Sequence, residues 1–425
     1  MRSHYKRIGD YVTLVKLKNS DGAISSLKGI NINKHFMPSV ANVNGTDLST
    51  YRVVKKNQFA FNPMHVGRDE VLPISMLEDD EPIIVSPAYV VFEVKDEEEL
   101  LPAYLMMWCR RSEFDRNAWF MTDNSVRGGF SWADFCDMEL PVPSIEKQRE
   151  IVREYNVVND RIALNEQLTQ KLEDTAQAIY KQWFVDFEFP ISKEYAESIG
   201  KPELEGKPYK SSGGEMEYCE ALGCETPITT QTIKLEKLVS TNSENINLKK
   251  EKFTQLNYLD TGSITENHIE GFQTLVIGKD KIPSRAKRKV RHNSIVYSTV
   301  RPNLRHYGLI KHPPENLVVS TGFCVIHSKN NLVSNELLLL LLSSDRVIDE
   351  YQSKGEMSVS TYPSIKPEDI LDTLIPLPNE YFETDLGLLN QNLAALFNHI
   401  DLISKEKLML IELKTLIEKN IINRA

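Results

Sequence analysis

The stretch from Ile151 to Trp183 limits what this chain can fold into more than any other. Stepping by four and then three residues gives Ile151, Tyr155, Val158, Ile162, Asn165, Thr169, Leu172, Ala176, Ile179 and Trp183, a rhythm that keeps one seam on one side of a helix. Neither Pro nor Gly interrupts it, and most of the positions between hold charged and amide residues. A helix with one apolar edge and a solvated remainder needs a partner. Leu389, Leu393, Leu396, Ile400, Ile403, Lys407, Leu410, Lys414, Ile417 and Ile421 repeat the rhythm, each 238 positions on, from Ile151 to Leu389 and from Trp183 to Ile421. The spacing predicts two paired helices of about 33 residues, roughly 50 Å long at 1.5 Å per residue, struts rather than ordinary core helices. Asn165, Thr169, Lys407 and Lys414 weaken the seam but help to fix its register.

Around these helices the chain reads as two copies of one mixed α/β unit. Residues 1–143 carry strand-like segments at Tyr11–Leu17, Lys56–Asn62 and Ile83–Val94 and a helix-like segment at Leu100–Arg111, and close on Pro141-Val142-Pro143. From 231 to 378 the series recurs. His292–Ser298 falls where Lys56–Asn62 stood, Val319–Ile326 matches Val85–Phe92, Leu337–Leu342 matches the helix around Leu105–Trp108, and Pro376-Leu377-Pro378 repeats the closing prolines. The expected order is thus a first domain (1–143), a helical region (144–187) opened by Ser144, a Gly-, Pro- and Ser-rich linker (188–230), a second domain (231–378) and a second helical region (379–425).

At 425 residues a division into two or three domains is expected, and 41% hydrophobic with 26% charged residues is an ordinary globular balance. No apolar run nears the roughly 20 residues that span a bilayer, and no apolar signal core follows Met1–Arg7, so a cytoplasmic protein without membrane partners is expected. Five scattered cysteines without a CxxC pair suit a reducing compartment and point to no zinc site.

Catalytic signatures are sparse. Phosphate-loop, dinucleotide, HExxH and GxSxG patterns are absent. Asn62-Pro63-Met64-His65 resembles the (N/D)PP(Y/F) loop of amino-methyltransferases but lacks its second proline and its aromatic residue. Asp80 with Glu93-Val94-Lys95 sketches a nuclease D…ExK site that runs on into an acidic stretch. A stand-alone methyltransferase or nuclease built on these residues is the alternative reading, and a pure assembly protein is a third.

The cationic pattern says more. In a chain of net charge -10, Lys281, Arg285, Lys287, Arg288, Lys289, Arg291, Arg301, Arg305 and Lys311 follow one another with no Asp or Glu between Lys281 and Lys311. Such a concentration marks a place for polyanions. Candidate contacts in this half are Arg288, Arg291, Ser298, Thr299, Arg301, Asn303 and Arg305, side chains of the types that read base edges and phosphates. The corresponding first-half segment offers Asn62, His65 and Arg68. A second pair of candidate loops offers Ser125 and Arg127 in the first half and Ser358 and Ser360 in the second. Different side chains on two copies of one scaffold would read two different sequences.

The most specific stretch is Pro141-Val142-Pro143-Ser144-Ile145-Glu146-Lys147-Gln148-Arg149-Glu150-Ile151-Val152, leading through Asn165-Glu166-Gln167-Leu168 to Lys181-Gln182-Trp183-Phe184-Val185-Asp186-Phe187. It is similar to the central conserved region of the specificity subunits of Type I restriction-modification enzymes, the HsdS family. Ser298-Thr299-Val300-Arg301-Pro302-Asn303-Leu304 and Ser320-Thr321-Gly322-Phe323 also resemble segments of that family, and the resemblance runs over essentially the whole chain. It implies two α/β target recognition domains, each reading half of a split asymmetric DNA site, separated by two long antiparallel helices. It further implies that this chain is not the enzyme and binds no cofactor: two modification subunits would carry S-adenosylmethionine and methylate adenine, and restriction subunits would use ATP and Mg to translocate and cut. The distal helix departs from the pattern in lacking the WFVDF ending.

Overall fold

The computed structural model describes residues 5–39, 46–64, 66–122, 129–248, 250–330, 332–358 and 362–424, with the backbone alone for residues 67, 68 and 421–424. It divides into two units, Met1–Asn165 with Glu406–Ala425 and Glu166–Lys405.

In the first unit, in chain order, β1 (Tyr5–Arg7), α1 (Ile8–Tyr11), β2 (Val12–Leu14), β3 (Lys28–Ile30), β4 (Phe36–Pro38), β5 (Arg52–Val54), β6 (Phe59–Phe61), α2 (Val66–Asp69), β7 (Ile74–Met76), β8 (Ile83–Val85) and β9 (Val90–Val94) precede α3 (Pro102–Cys109), α4 (Ser112–Met121), α5 (Trp132–Asp137) and β10 (Glu139–Pro141). One sheet has the order β2-β9-β6-β7. A second layer is built from the β3-β4 and β5-β8 pairs, joined by a parallel bridge from Leu27 to Ile84. The alternation of strand side chains explains the layering. Phe59 and Phe61 enter the core shared with α3, α4 and α5, while Ala60 turns to the opposite face with Val54, Ile83 and Val91. Val85–Phe92 is not one strand, because Pro87 lies in a turn closed by the Tyr89 N–H on the Ser86 carbonyl at 3.0 Å.

From α6 (Ile145–Phe184, 40 residues) the chain enters the second unit. There α7 (Lys193–Ser198) and the strands β11 (Met216–Cys219), β12 (Cys224–Pro227), β13 (Thr230–Lys234), β14 (Val239–Thr241), β15 (Gln255–Leu259), β16 (Ile264–Thr265), β17 (His268–Ile269), β18 (Gln273–Val276), β19 (Ala286–Lys289), β20 (Ser294–Ser298), β21 (Tyr307–Ile310), β22 (Leu317–Ser320) and β23 (Phe323–Ser328) precede α8 (Asn335–Leu342), α9 (Asp345–Glu356), α10 (Pro367–Leu371), β24 (Leu374–Pro378) and α11 (Glu383–Arg424, 42 residues). The sheets β14-β23-β20-β21 and β18-β15-β22-β19 reproduce both layers of the first unit strand for strand. The β13-β24 pair stands where β1 meets β10. The internal duplication read from the sequence is therefore a duplication of topology, to which the second unit adds the β16-β17 hairpin.

Both seams form the long helices expected, each longer than about 33 residues. Ile151, Tyr155, Val158, Asn165, Ala176 and Trp183 are buried on α6, as are Leu389, Leu393 and Ile400 on α11; Ile162, Thr169, Leu172, Ile179, Leu396, Ile403, Lys407, Leu410, Lys414 and Ile417 are half-buried, and the Ile421 side chain is outside the described residues. The packing is antiparallel. In the first unit the Tyr155 hydroxyl donates to Glu418 at 2.9 Å, Arg161 grips Glu406 through two 2.9 Å bonds, and Asn165 donates to the same carboxylate at 3.1 Å. Lys414 lies 5.3 Å from the centre of the Tyr155 ring, and burial pushes its ammonium below the usual lysine range. In the second unit Ala176, Tyr180 and Trp183 share a core with Leu386, Leu389, Leu393 and Phe397.

The segment 188–230 is not the linker its composition predicts. Phe189, Ile191, Ala196 and Tyr209 are buried in the core of the second unit, with Phe189 stacked on Tyr209 at 5.0 Å and edge-on to Phe382 at 4.9 Å. Its glycines make turns and close contacts instead of slack: a Cβ on Gly214 would run into the Tyr209 ring. A few apolar anchors outweigh the polar majority between them, since each buried aromatic removes 150–250 Å² from water, by order of magnitude.

Leu393 is fully buried, whereas Leu402 on the same helix is 61% exposed. Leu393→Ala is expected to lower the stability of the second unit by about 2–5 kcal/mol and Leu402→Ala by less than about 0.5 kcal/mol, measured by denaturant unfolding.

Candidate nucleic-acid interface

The connection from β20 to β21 is held at every step by the backbone around it. Ser298 ends a fully buried strand; its hydroxyl accepts from the Val300 N–H at 3.2 Å and donates to the Val300 carbonyl at 3.0 Å. The Thr299 N–H and hydroxyl both donate to the Gly322 carbonyl, at 2.9 and 3.0 Å, and the Thr299 carbonyl accepts from the Ile365 N–H at 2.9 Å. The Arg301 N–H donates to the Pro363 carbonyl at 2.8 Å. Arg301 (φ 51°) and Arg305 (φ 56°) flank the turn Pro302–Leu304 in the left-handed region, uncommon for a residue with a Cβ. Such geometry costs of order 1 kcal/mol or more per residue and persists only where its surroundings impose it.

This conformation presents Arg301 and Asn303 to solvent. The Arg301 guanidinium lies over the Tyr362 ring, 4.4 Å from its centre, and Asn303 is exposed beside Gln352, whose side-chain oxygen accepts the Asn303 backbone N–H at 3.3 Å. Stacking orients a guanidinium while leaving its N–H edge free for acceptors. Arg305 belongs elsewhere: it donates to Asp345 at 2.6 Å and lies 3.6 Å from Glu266, and the Asp345 bond holds its pKa above the usual arginine value.

Two further committed cations lie in the basic run. Lys289 pairs with Glu251 at 2.8 Å, and Lys311 pairs with Glu336 at 2.7 Å, with side chains only 5% and 3% exposed. The uncharged partner of Arg291 is His327, whose Nδ1 accepts from the arginine Nε at 3.3 Å while its Nε2 bonds the Ser294 hydroxyl at 2.8 Å. That arrangement requires a neutral ring protonated on Nε2. Burial first, and then the Arg291 charge, lowers the His327 pKa to about 4.

Arg285, Lys287, Arg288 and Arg301 pair with no carboxylate among the described residues. They lie around one turn. The Thr321 N–H donates to the Arg285 carbonyl at 2.9 Å, Thr321 lines an open groove of about 770 Å³ with Asn245, Asn247, Ser284, Lys287 and Arg288, and the next residue, Gly322, holds Thr299. The groove and the Arg301 loop thus both touch the Thr321–Gly322 turn of the second unit.

The first unit repeats the exit from its central strand. The Asn62 side chain accepts from the Met64 N–H at 3.0 Å, two residues on, as Ser298 does, and the Pro63 carbonyl accepts from the Phe130 N–H at 3.0 Å, as Thr299 does from Ile365. Asn62, Ser298 and Thr299 thus help to shape their turns, and Arg305 is held by Asp345 and Glu266. Ser358 caps its own turn by donating to the Gly355 carbonyl at 2.7 Å. His65, Ser125, Arg127 and Ser360 and the side chain of Arg68 lie outside the described residues. Asn245, Asn247, Thr321 and Tyr362 were missed, because no spacing in the sequence ties them to the cationic run.

The residues of the weak enzyme motifs do not converge. Asp80 pairs with Lys56 at 2.7 Å, Glu93 accepts from Gln58 at 2.8 Å, and Lys95 donates to the carbonyls of Gly9 and Asp10 at 3.1 and 2.8 Å. Among the described residues no three His, Cys, Asp or Glu side chains are grouped so as to hold a metal, and no helix is long and apolar enough to cross a membrane.

The architecture is a twice-used α/β unit on paired long helices. No protein-family profile matches the chain. In sequence it is 28% identical over 126 residues to the Type I restriction enzyme HindI specificity subunit of Haemophilus influenzae, a match covering 29% of this chain and 26% of that protein. In fold it is similar to the Type I restriction-modification S subunit from M. genitalium, with a TM-score of 0.56, 13% identity, and coverage of 98% of this chain and 94% of that one. The chain thus has the fold of the Type I specificity subunits, as its central motif implied.

Two predictions concern buried groups in and beside the basic run. Lys311→Ala is expected to lower stability by about 3–5 kcal/mol in denaturant unfolding, since it strands a buried carboxylate. His327 binds its proton less readily folded than unfolded, so its contribution is complete above pH about 6.5 and is lost as pH falls towards about 4. Its ring resonances are expected not to titrate between pH 7 and 5, and His327→Gln should remove its share of the fall in unfolding midpoint over that window.

Proposed function

We propose that this chain is the sequence-specific DNA-recognition subunit of a Type I restriction-modification complex, reading a split asymmetric site with its two duplicated domains. It performs no chemistry. Two modification subunits bind S-adenosylmethionine and methylate adenine, restriction subunits use ATP and Mg, and the complex works in the cytoplasm. The observation that carries this reading is the duplicated sheet order bearing unlike side chains at equivalent loop positions. The relative named as a Type I specificity subunit supports it. So do the two strand pairs β1-β10 and β13-β24, each standing just before a long helix.

In this reading Arg301 and Asn303 reach base edges in the major groove, where an arginine suits guanine and an asparagine suits adenine. Arg285, Lys287 and Arg288 meet phosphates and add salt-sensitive affinity without sequence information. Base contacts hold the complex at its site while a partner extrudes the adenine for methylation. Ser298, Thr299 and Arg305 act indirectly, by fixing the loop.

The test is methyl transfer to genomic DNA by this chain co-expressed with its neighbouring modification subunit, with each alone as control, followed by mapping of methylated adenines. Activity only in the pair, confined to one bipartite motif, is expected; methylation by this chain alone would overturn the reading. Arg301→Ala is expected to weaken or relax one half-site by roughly 5- to 150-fold, the range of 1–3 kcal/mol per bidentate contact, and to leave the other half-site unchanged.

A further inference from the structure

The duplication extends to a pair of arginines that the sequence does not align by eye. In the first unit Arg52 opposes Val85 across β5-β8 and bridges to Lys18 on its other side. In the second, Arg288 opposes Val319 across β19-β22 and bridges to Asn245. The backbone bonds around them correspond one for one. The Asn19 N–H donates to the Tyr51 carbonyl at 3.0 Å as the Ile246 N–H does to the Lys287 carbonyl at 2.8 Å, and the Val53 N–H donates to the Leu17 carbonyl at 3.0 Å as the Lys289 N–H does to the Glu244 carbonyl at 3.1 Å. Arg52 and Arg288 therefore occupy the same place in the two copies.

Both also address the same turn. Arg52 Nε donates to the Pro87 carbonyl at 3.1 Å, in the turn between β8 and β9. Arg288 lines the groove with Thr321, in the turn between β22 and β23; one of its terminal nitrogens donates to Asn245 at 3.4 Å, and its Nε is buried without an acceptor. Neither arginine pairs with a carboxylate among the described residues. Exposed Lys16 and Lys18 accompany Arg52, as exposed Lys287 accompanies Arg288. A cation that serves only to pin a turn would gain from a carboxylate partner, and two copies of the site lack one. An unpaired guanidinium with a free edge beside further cations fits the acceptor-rich surface of duplex DNA.

We infer that Arg52 and Arg288 are equivalent DNA-contact positions, one in each unit, and that Arg52 with Lys18 marks the DNA-facing surface of the first unit. This rests on the DNA-recognition reading and adds to it a site in the half where the basic run is absent.

The test uses the chain assembled with its modification subunit. Arg52→Ala, Arg288→Ala and the corresponding Arg→Lys variants are compared with wild type for binding to the cognate duplex, for footprint and for melting temperature. About a tenfold loss of affinity is expected for each alanine variant at unchanged melting temperature, with Arg52→Ala losing protection over one half-site and Arg288→Ala over the other. The lysine variants keep the charge and cover the case in which alanine unfolds the turn. They are expected to lose less affinity than alanine, with the loss in the same half. Wild-type affinity and footprint in all four variants, or loss over the same half for both positions, would overturn the inference and leave the recognition role standing. A wild-type complex without sequence-selective binding would overturn both.

Discussion

Burial of the seam between the two long helices is the constraint on which the rest depends, because the first unit is not a continuous piece of chain and the core of the second is closed by both of its ends. The first unit is completed by residues from 406 onwards, which supply Lys414 and Glu418 to Tyr155 and Glu406 to Arg161 and Asn165. In the second, residues from 166 onwards supply Ala176, Tyr180 and Trp183 to a core they share with Leu389 and Leu393. Each helix alone would leave an apolar stripe in water, and its polar seam residues would have no partner to satisfy them. Long-range closure of this kind makes the core depend on residues more than 200 positions apart, so the first unit cannot finish folding until the last helix has been made.

Duplication then fixes backbone and frees side chains. At the strand exits, Asn62 and Ser298 make the same bond to the amide two residues on, with a different side-chain group in each copy. Pro63 and Thr299 present equivalent carbonyls to Phe130 and Ile365. With the turn held by such bonds, the exposed residues beside it, such as Arg301 and Asn303, are free to differ. A site reader needs this division: positional accuracy from the scaffold, chemical variety from the loop. The left-handed Arg301 and Arg305 show how far the scaffold can impose a conformation, since Arg305 is anchored by Asp345 while Arg301 is left stacked on Tyr362 and open to solvent.

Periodicity carried most of the architecture into the sequence. The 4-3 rhythm marked both helices, and the repeated strand segments marked both units, because each signal reflects a geometric period of the backbone itself. Composition misled at 188–230, where Phe189, Ile191 and Tyr209 decide the packing although they are few among turn formers. The basic run misled in part for a different reason. Glu251, Asp345 and Glu336 neutralise Lys289, Arg305 and Lys311 from distant parts of the chain, and pairing across a fold leaves no local trace. Arg52 escaped notice for the converse reason: only Lys55 and Lys56 accompany it in sequence, and the strand register is what reveals its equivalence to Arg288.

These pairings also bear on selectivity. A net charge of -10 repels a polyanion from most orientations, and neutralising three of the nine cations in the run narrows the attraction that the run itself can exert. Fewer free cations mean fewer released counterions, hence weaker binding to unrelated DNA at a given salt concentration. Contacts that depend on base identity then form a larger share of the total. For a proposed role that consists of choosing one site among very many, the ratio of specific to non-specific affinity matters more than tightness. In that proposed role, burying Lys311 against Glu336, which takes one cation of the run out of reach of a polyanion, would serve selection as well as packing.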